Sequence, residues 1–161
     1  MQIRDYKDAD WPLVWPVFQE IVVTGETYAY DPGWSSDEAK SVWEEAAPGH
    51  TIVVCDGPRI LGTAKMGPNR SGRGSHVSTA SFMVASDARG RGAGRALTEY
   101  ALAWTTEQNY AAMQFNAVVE SNHAAVRLYQ ALGFHIIGTV PEAFEHPVLG
   151  RVGLHVMHRF L

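Results

Sequence analysis

Arginines and glycines alternate through Arg89-Gly90-Arg91-Gly92-Ala93-Gly94-Arg95, just before a segment with helical apolar spacing at Leu97, Tyr100, Ala101 and Trp104. Such a segment can bind an anion. The first turn of a helix carries unpaired N–H groups and a partial positive charge, and glycines let a ligand reach that backbone without meeting side chains. Arg89, Arg91 and Arg95 add guanidinium groups suited to a diphosphate or a ribose phosphate. A P-loop would need Gly-Lys-Ser/Thr four residues after a first glycine, and no such string occurs. A dinucleotide fingerprint would need glycine at 95, which is Arg95, and an amino-terminal βαβ context that this mid-chain strand lacks. A glycine-rich turn that only opens a helix stays open as the plainer reading.

A second polar set follows one strand later. Asn122 and Tyr129 are seven residues apart, which on a helix puts them about two turns apart on one face. Asn122 also suits an N-cap, and Tyr129 a core aromatic with a solvated hydroxyl. The string Arg/Gln-x-x-Gly-x-Gly/Ala at Arg89, Gly92 and Gly94, followed by Asn122, Tyr129 and Gly133-Phe134, resembles the signatures of the GCN5-related N-acetyltransferase (GNAT) superfamily. The resemblance covers nearly the whole chain, with its specific motifs between 82 and 134. It implies acetyl-CoA as co-substrate, bound by the backbone of Met83 and Val84, by Arg89, Gly90, Arg91, Gly92, Ala93, Gly94 and Arg95, and by Asn122 and Tyr129. It also implies direct attack in a ternary complex, with the strand splayed by a bulge at Met83-Val84 and Tyr129 as general acid towards the leaving sulfur.

Two narrower resemblances concern the acceptor. Ala143-Phe144-Glu145-His146 looks like the carboxy-terminal region of acetyltransferases of phosphinothricin and methionine sulfone, while His76–Val84 and Phe115–Asn122 resemble proline-analogue acetyltransferases of yeasts. They imply a primary or secondary amine on a small amino-acid-like molecule. Asn116 matches a residue facing the acceptor, and Thr79 stands where those relatives have Asn, which changes the hydrogen bonds on offer. Glu26, Thr27, Tyr28 and His146 complete the expected acceptor wall. Many relatives carry a glutamate on the strand before the glycine-rich loop, but His76 to Val84 contains no carboxylate. Glu26, His76 and His146 are the candidate bases, each equally readable as a solvated residue. The missing carboxylate leaves open a non-catalytic acyl-CoA-binding module, and a peptide acceptor is a further alternative.

These residues need a scaffold to hold them. A chain of 161 residues with 46% hydrophobic content supplies one core, so a single domain over residues 1–161 is expected. Caps offered by Asp8 to Asp10, Pro12 in the first turn and helical spacing from Leu13 to Val22 mark a first helix, and a second runs from Ser35 or Ser36 to Pro48-Gly49. Strands are expected at Met1–Arg4, His50–Asp56, Arg59–Met66, His76–Ala85, Met113–Val119, Phe134–Val140 and Val152–Phe160. Helices follow the glycine-rich segment and span Asn122–Leu132. The loop Gly67–Ser75 reads as a flexible connection. Strands in sequence, then alternation with helices, predict a mixed α/β fold, GNAT-like by resemblance, with a twisted, mostly antiparallel sheet of six or seven strands and helices on both faces. A formal net charge of -4 gives no attraction to nucleic acid or an anionic membrane. One cysteine, Cys55, excludes an intrachain disulfide, and no apolar run approaches ~20 residues, so a soluble cytoplasmic protein is expected. His155 and His158 fall on opposite faces of a strand, which argues against a metal site. The family resemblance implies a homodimer.

Overall fold

The computed structural model describes all 161 residues. Strands β1 (Gln2–Asp5), β2 (His50–Asp56), β3 (Arg59–Pro68), β4 (Val77–Val84), β5 (Ala112–Val119), β6 (His135–His146) and β7 (Gly150–Phe160) form one sheet ordered β1-β2-β3-β4-β5-β7-β6. All neighbours are antiparallel except β4 and β5, which run parallel. Helices α1 (Trp11–Thr24) and α2 (Ser36–Trp43) cover one face, while α3 (Ala93–Glu107) and α4 (His123–Ala131) cover the other. The two sides can be told apart on β3. Thr63 binds the Trp43 indole of α2, whereas a Cβ on Gly62 would meet Leu97 of α3 at 3.3 Å.

Alternation dictates what each strand contributes. Thr63 pairs with Met83 and Gly62 with Val84, so Thr79, Ser81 and Met83 face α1 and α2, while Ala80, Phe82 and Val84 face α3. Helix α1 buries Val14, Val17, Phe18, Ile21 and Val22 at helical spacing and stops at Gly25, whose φ of +65° favours glycine. Arg4 on β1 grips Asp10 ahead of α1 through two bonds of 2.6 and 2.7 Å, and this holds the Asp10 carboxyl below its ordinary pKa.

Three boundaries differ from expectation. Helix α2 ends at Trp43, well before Pro48-Gly49, because Trp43 is fully buried and the Glu45 N–H bonds the Thr51 hydroxyl, drawing the chain onto β2. Strand β6 continues past Val140 to His146. Pro141 and Glu142, with φ of +52° at Glu142, sit in a register shift on an edge strand, where a lost ladder bond is tolerated. The loop after β3 is tied down, with the Asn69 N–H on the Val77 carbonyl at 2.7 Å. No helix is long and apolar enough to cross a membrane.

All six tyrosines have pKa values raised above the ordinary phenol value, with loss of solvation on burial as the largest cause. The folded chain therefore keeps these protons to higher pH than the unfolded chain. Stability from this source is whole below the unfolded value near ~10 and is lost as pH rises towards the folded values. Thermal melts followed from pH 8 to 12 should show the melting temperature falling only above about 10, with tyrosinate absorbance appearing together with unfolding. Tyrosinate absorbance growing in the intact fold near pH 10 would contradict this.

Candidate active site

Strands β4 and β5 pair only at Val77 with Ala112 and Ser78 with Met113, then diverge. The gap exposes one edge of β4. At the ends of the β3–β4 ladder the Ala85 N–H donates to the Leu61 carbonyl and the Asn69 N–H to the Val77 carbonyl. Antiparallel alternation between those bonds assigns the backbone of Thr79, Ser81 and Met83 to β3 and turns that of Ala80, Phe82 and Val84 into the gap. Two expectations are corrected here. Met83 is a fully buried core residue with its N–H committed to β3, and the backbone facing the gap there is that of Phe82. No bulge interrupts the β3–β4 register at Met83-Val84; the register shift lies in β5, between Phe115 and Val118 against β7.

The gap opens into a cleft of about 930 Å³ that reaches the glycine-rich loop. Gly90 and Gly92 have φ of +75° and +85°, a region that side chains disfavour, and Gly92 accepts the first helical bond of α3 from Ala96. Arg89, Gly90, Gly92, Ala93, Gly94 and Arg95 line the cleft. Arg91 does not, and pairs with Asp56 at 3.2 Å. Arg95 pairs with Glu99, also at 3.2 Å, so Arg89 is the loop arginine without a carboxylate partner.

Across the gap, Asn122 caps α4 by accepting the Ala125 N–H, which leaves its own amide N–H groups free towards the cleft it lines. The helix closes with Phe134 N–H on the Tyr129 carbonyl and Gly133 N–H on the Gln130 carbonyl, a Schellman motif. That turn seats Phe134 in the core, stacked on Phe115 at 4.4 Å, and Phe115 in turn packs on Tyr129 at 4.5 Å. Tyr129 is thereby fixed, while its hydroxyl has no protein partner and burial pushes its pKa up, keeping the phenol protonated.

The opposite face of the gap carries Thr79 and Asn116 with Glu26, Thr27, Tyr28 and His146. Asn116 donates to the Asn69 side chain at 2.6 Å and accepts from Gln114 at 2.8 Å. Asn69 and Gln114, which hold Asn116 without lining the cleft, were not singled out in the sequence; Gln114 was findable as the residue two before Asn116 on the same strand face, and Asn69 was hidden in a loop-like string. Tyr28 reaches the β4 edge itself, donating to the Phe82 carbonyl at 2.8 Å and accepting the Phe82 N–H at 3.1 Å. Among the three base candidates, His76 lies outside the cleft. His146 accepts the N–H groups of Val148 and Leu149 at Nδ1, both at 3.2 Å, so its proton resides on Nε2 and the ring is a donor. Glu26 keeps free carboxylate oxygens on the cleft.

The acetyltransferase (GNAT) family matches residues 14–134 of this chain. The chain belongs to that family. A GCN5-related N-acetyltransferase from Kribbella flavida is 55% identical and superposes with a TM-score of 0.97 over 99% of this chain and 97% of its own. A phosphinothricin acetyltransferase from Sinorhizobium meliloti, solved with AcCoA, shares the fold at a TM-score of 0.88 and 21% identity, over 99% of this chain and 88% of that one. N-acetyltransferase aca1 of Schizosaccharomyces pombe is 26% identical over 134 residues, 74% of this chain. The chain spans 64% of that relative and 15% of Protein SPT10 of Saccharomyces cerevisiae, to which it is 32% identical over 95 residues. In this GNAT chain, nitrogen NMR of the neutral His146 ring should find the Nε2–H tautomer; the Nδ1–H tautomer would restore His146 as a base candidate.

Proposed function

We propose that this chain moves the acetyl group of acetyl-CoA to the primary or secondary amine of a small amino-acid-like molecule, with both substrates bound together. The carrying observation is the open β4 edge leading to the amino terminus of α3, with the unpartnered Tyr129 hydroxyl across the gap. Gap-facing backbone groups recur every second residue, ~7 Å apart, and pair with an amide-bearing arm such as pantetheine as with another strand. The diphosphate then meets the N–H groups of the glycine-rich loop, with Arg89 and Arg95 beside it and the Asn122 amide on the arm.

The neutral amine attacks the thioester carbon, and its proton leaves through water to Glu26. The carbonyl electrons move onto oxygen beside a β4 N–H, and collapse of the intermediate breaks the C–S bond. Tyr129 gives its proton to the sulfur. A small acceptor is supported by the uncharged side chains of Thr79 and Asn116 on the cleft, the latter held by Asn69 and Gln114. His146 Nε2–H suits an acceptor oxygen. A reducing, cytoplasmic setting fits a chain whose one thiol, Cys55, is buried and unpaired.

A thiol-release screen of amino acids, their analogues, polyamines and peptides with acetyl-CoA should give turnover with an amino-acid-like amine. Tight coenzyme A binding without release across the panel would sink the enzymatic reading. Tyr129→Phe should lower kcat by roughly 10²–10⁴-fold with little change in KM; normal turnover removes its acid role. The same reading includes a homodimer at the β6 edge, where Ile137 and Val140 are 66% and 52% exposed. Light scattering should give twice 17.7 kDa, and Ile137→Glu should return the monomer; a monomeric parent chain removes this contact.

A further inference from the structure

We infer that Tyr28 is a catalytic residue, its hydroxyl serving with the Phe82 N–H as the pair of donors that hold the oxyanion; the assignment rests on the N-acetyltransferase reading above. The argument starts from spacing. Successive gap-facing N–H groups on β4 stand ~7 Å apart, so one of them reaches a given carbonyl oxygen and its neighbours do not. A tetrahedral oxyanion is held well only by donors placed at 2.7–3.1 Å in advance. A second donor must therefore come from a side chain. Tyr28 is the side chain that the structure brings to that edge, with its oxygen 3.1 Å from the Phe82 nitrogen and 2.8 Å from the Phe82 carbonyl oxygen.

The phenol is held in place from behind. Tyr28 stacks on Tyr30 at 5.3 Å with a 15° interplanar angle, Tyr30 stacks on Phe18 at 5.5 Å, and Trp43 meets Tyr28 edge-on at 6.3 Å. This ladder runs from α1 and α2 through the first loop to the gap, so the hydroxyl is positioned by rigid elements and not by a loop alone. Burial and the nearby Tyr129 and Tyr30 push its pKa well up, so at neutral pH it offers a proton to share.

Without a donor substrate the Phe82 N–H is directed at the hydroxyl oxygen, and a thioester oxygen that enters the gap beside the hydroxyl comes within reach of both donors. When the thioester oxygen takes that N–H, the Tyr28 proton turns from the Phe82 carbonyl to the same oxygen. The amine nitrogen then forms its bond to the carbonyl carbon, and the π pair moves to an oxygen held by both donors. On collapse the C=O bond re-forms, the C–S bond breaks, Tyr129 protonates the sulfur, and the amine proton leaves through water. Tyr28 keeps its proton throughout. The two phenols thus divide the work, Tyr28 at the oxygen and Tyr129 at the sulfur.

The test is Tyr28→Phe, which keeps the ring and its stacking and removes only the hydroxyl. With the acceptor found in the screen, kcat should fall by about 10²-fold or more, with KM for acetyl-CoA unchanged or lower because the Phe82 N–H is already vacant. Infrared spectra of carbonyl-labelled acetonyl-CoA, a ketone analogue, should show a carbonyl band at lower frequency on the parent chain than in water. On Tyr28→Phe the band should move back towards the water value. A kcat within threefold of the parent, or an unmoved band, overturns the assignment. If the variant does not fold, site-specific fluorotyrosine at position 28, a more acidic phenol, should lower the band further, and an unmoved band again overturns it. Failure of the parent chain to release thiol with any amine defeats the N-acetyltransferase reading itself, whereas parent turnover matched by Tyr28→Phe defeats only the role given to Tyr28.

Discussion

A sheet that is hydrogen-bonded at one end of a strand and open at the other governs the site. Two residue pairs join β4 to β5, and beyond Ser78 the inner edge of β4 must satisfy its backbone polar groups some other way. Such groups are costly to bury without partners. At Phe82 the protein meets part of this demand itself, through the Tyr28 hydroxyl, and the rest of the edge is left for an extended ligand. The register shift in β5, the Schellman turn after α4 and the Phe115–Phe134 stack keep the far wall of the opening rigid.

Charge is distributed unevenly along the cleft. The outer end has cationic side chains and oriented N–H groups for an anion, although Asp56 and Glu99 already engage Arg91 and Arg95. The middle holds neutral donors and acceptors, including two phenols whose burial keeps them protonated. Neutral hydrogen-bonding groups in a partly dry cleft stabilise a developing charge without first attracting a counter-ion that must be displaced.

The glycine-rich loop and the ends of α4 were legible because their pattern is local. Gly92, Gly94, Asn122, Tyr129 and Gly133 carry their meaning in spacing along one helix or into one, and the structure places them as a group. The helix stop at Trp43 was not legible, because it depends on Thr63 and Thr51 in distant strands. The run of β6 beyond Pro141 was hidden for a related reason: an edge strand tolerates what a central strand excludes. That Met83 faces β3 and not the gap was not legible, since backbone direction depends on which ladder bonds form, and that follows from pairing and not from residue type. The orientation of His146 needed the turn at Val148 and Leu149, whose N–H groups no sequence pattern announces.

The alternation of β4 has a consequence for how such a protein can diversify. Phe82 and Val84 point towards α3, whereas Thr79 and Ser81, two residues along the same strand, point towards the first loop. Side chains on that face of the cleft can therefore be exchanged one at a time while the gap-facing backbone of Ala80, Phe82 and Val84 stays untouched. A library restricted to positions 79, 81 and 116 reshapes one wall of the cleft without altering the strand edge opposite it, so the two can vary independently in this chain.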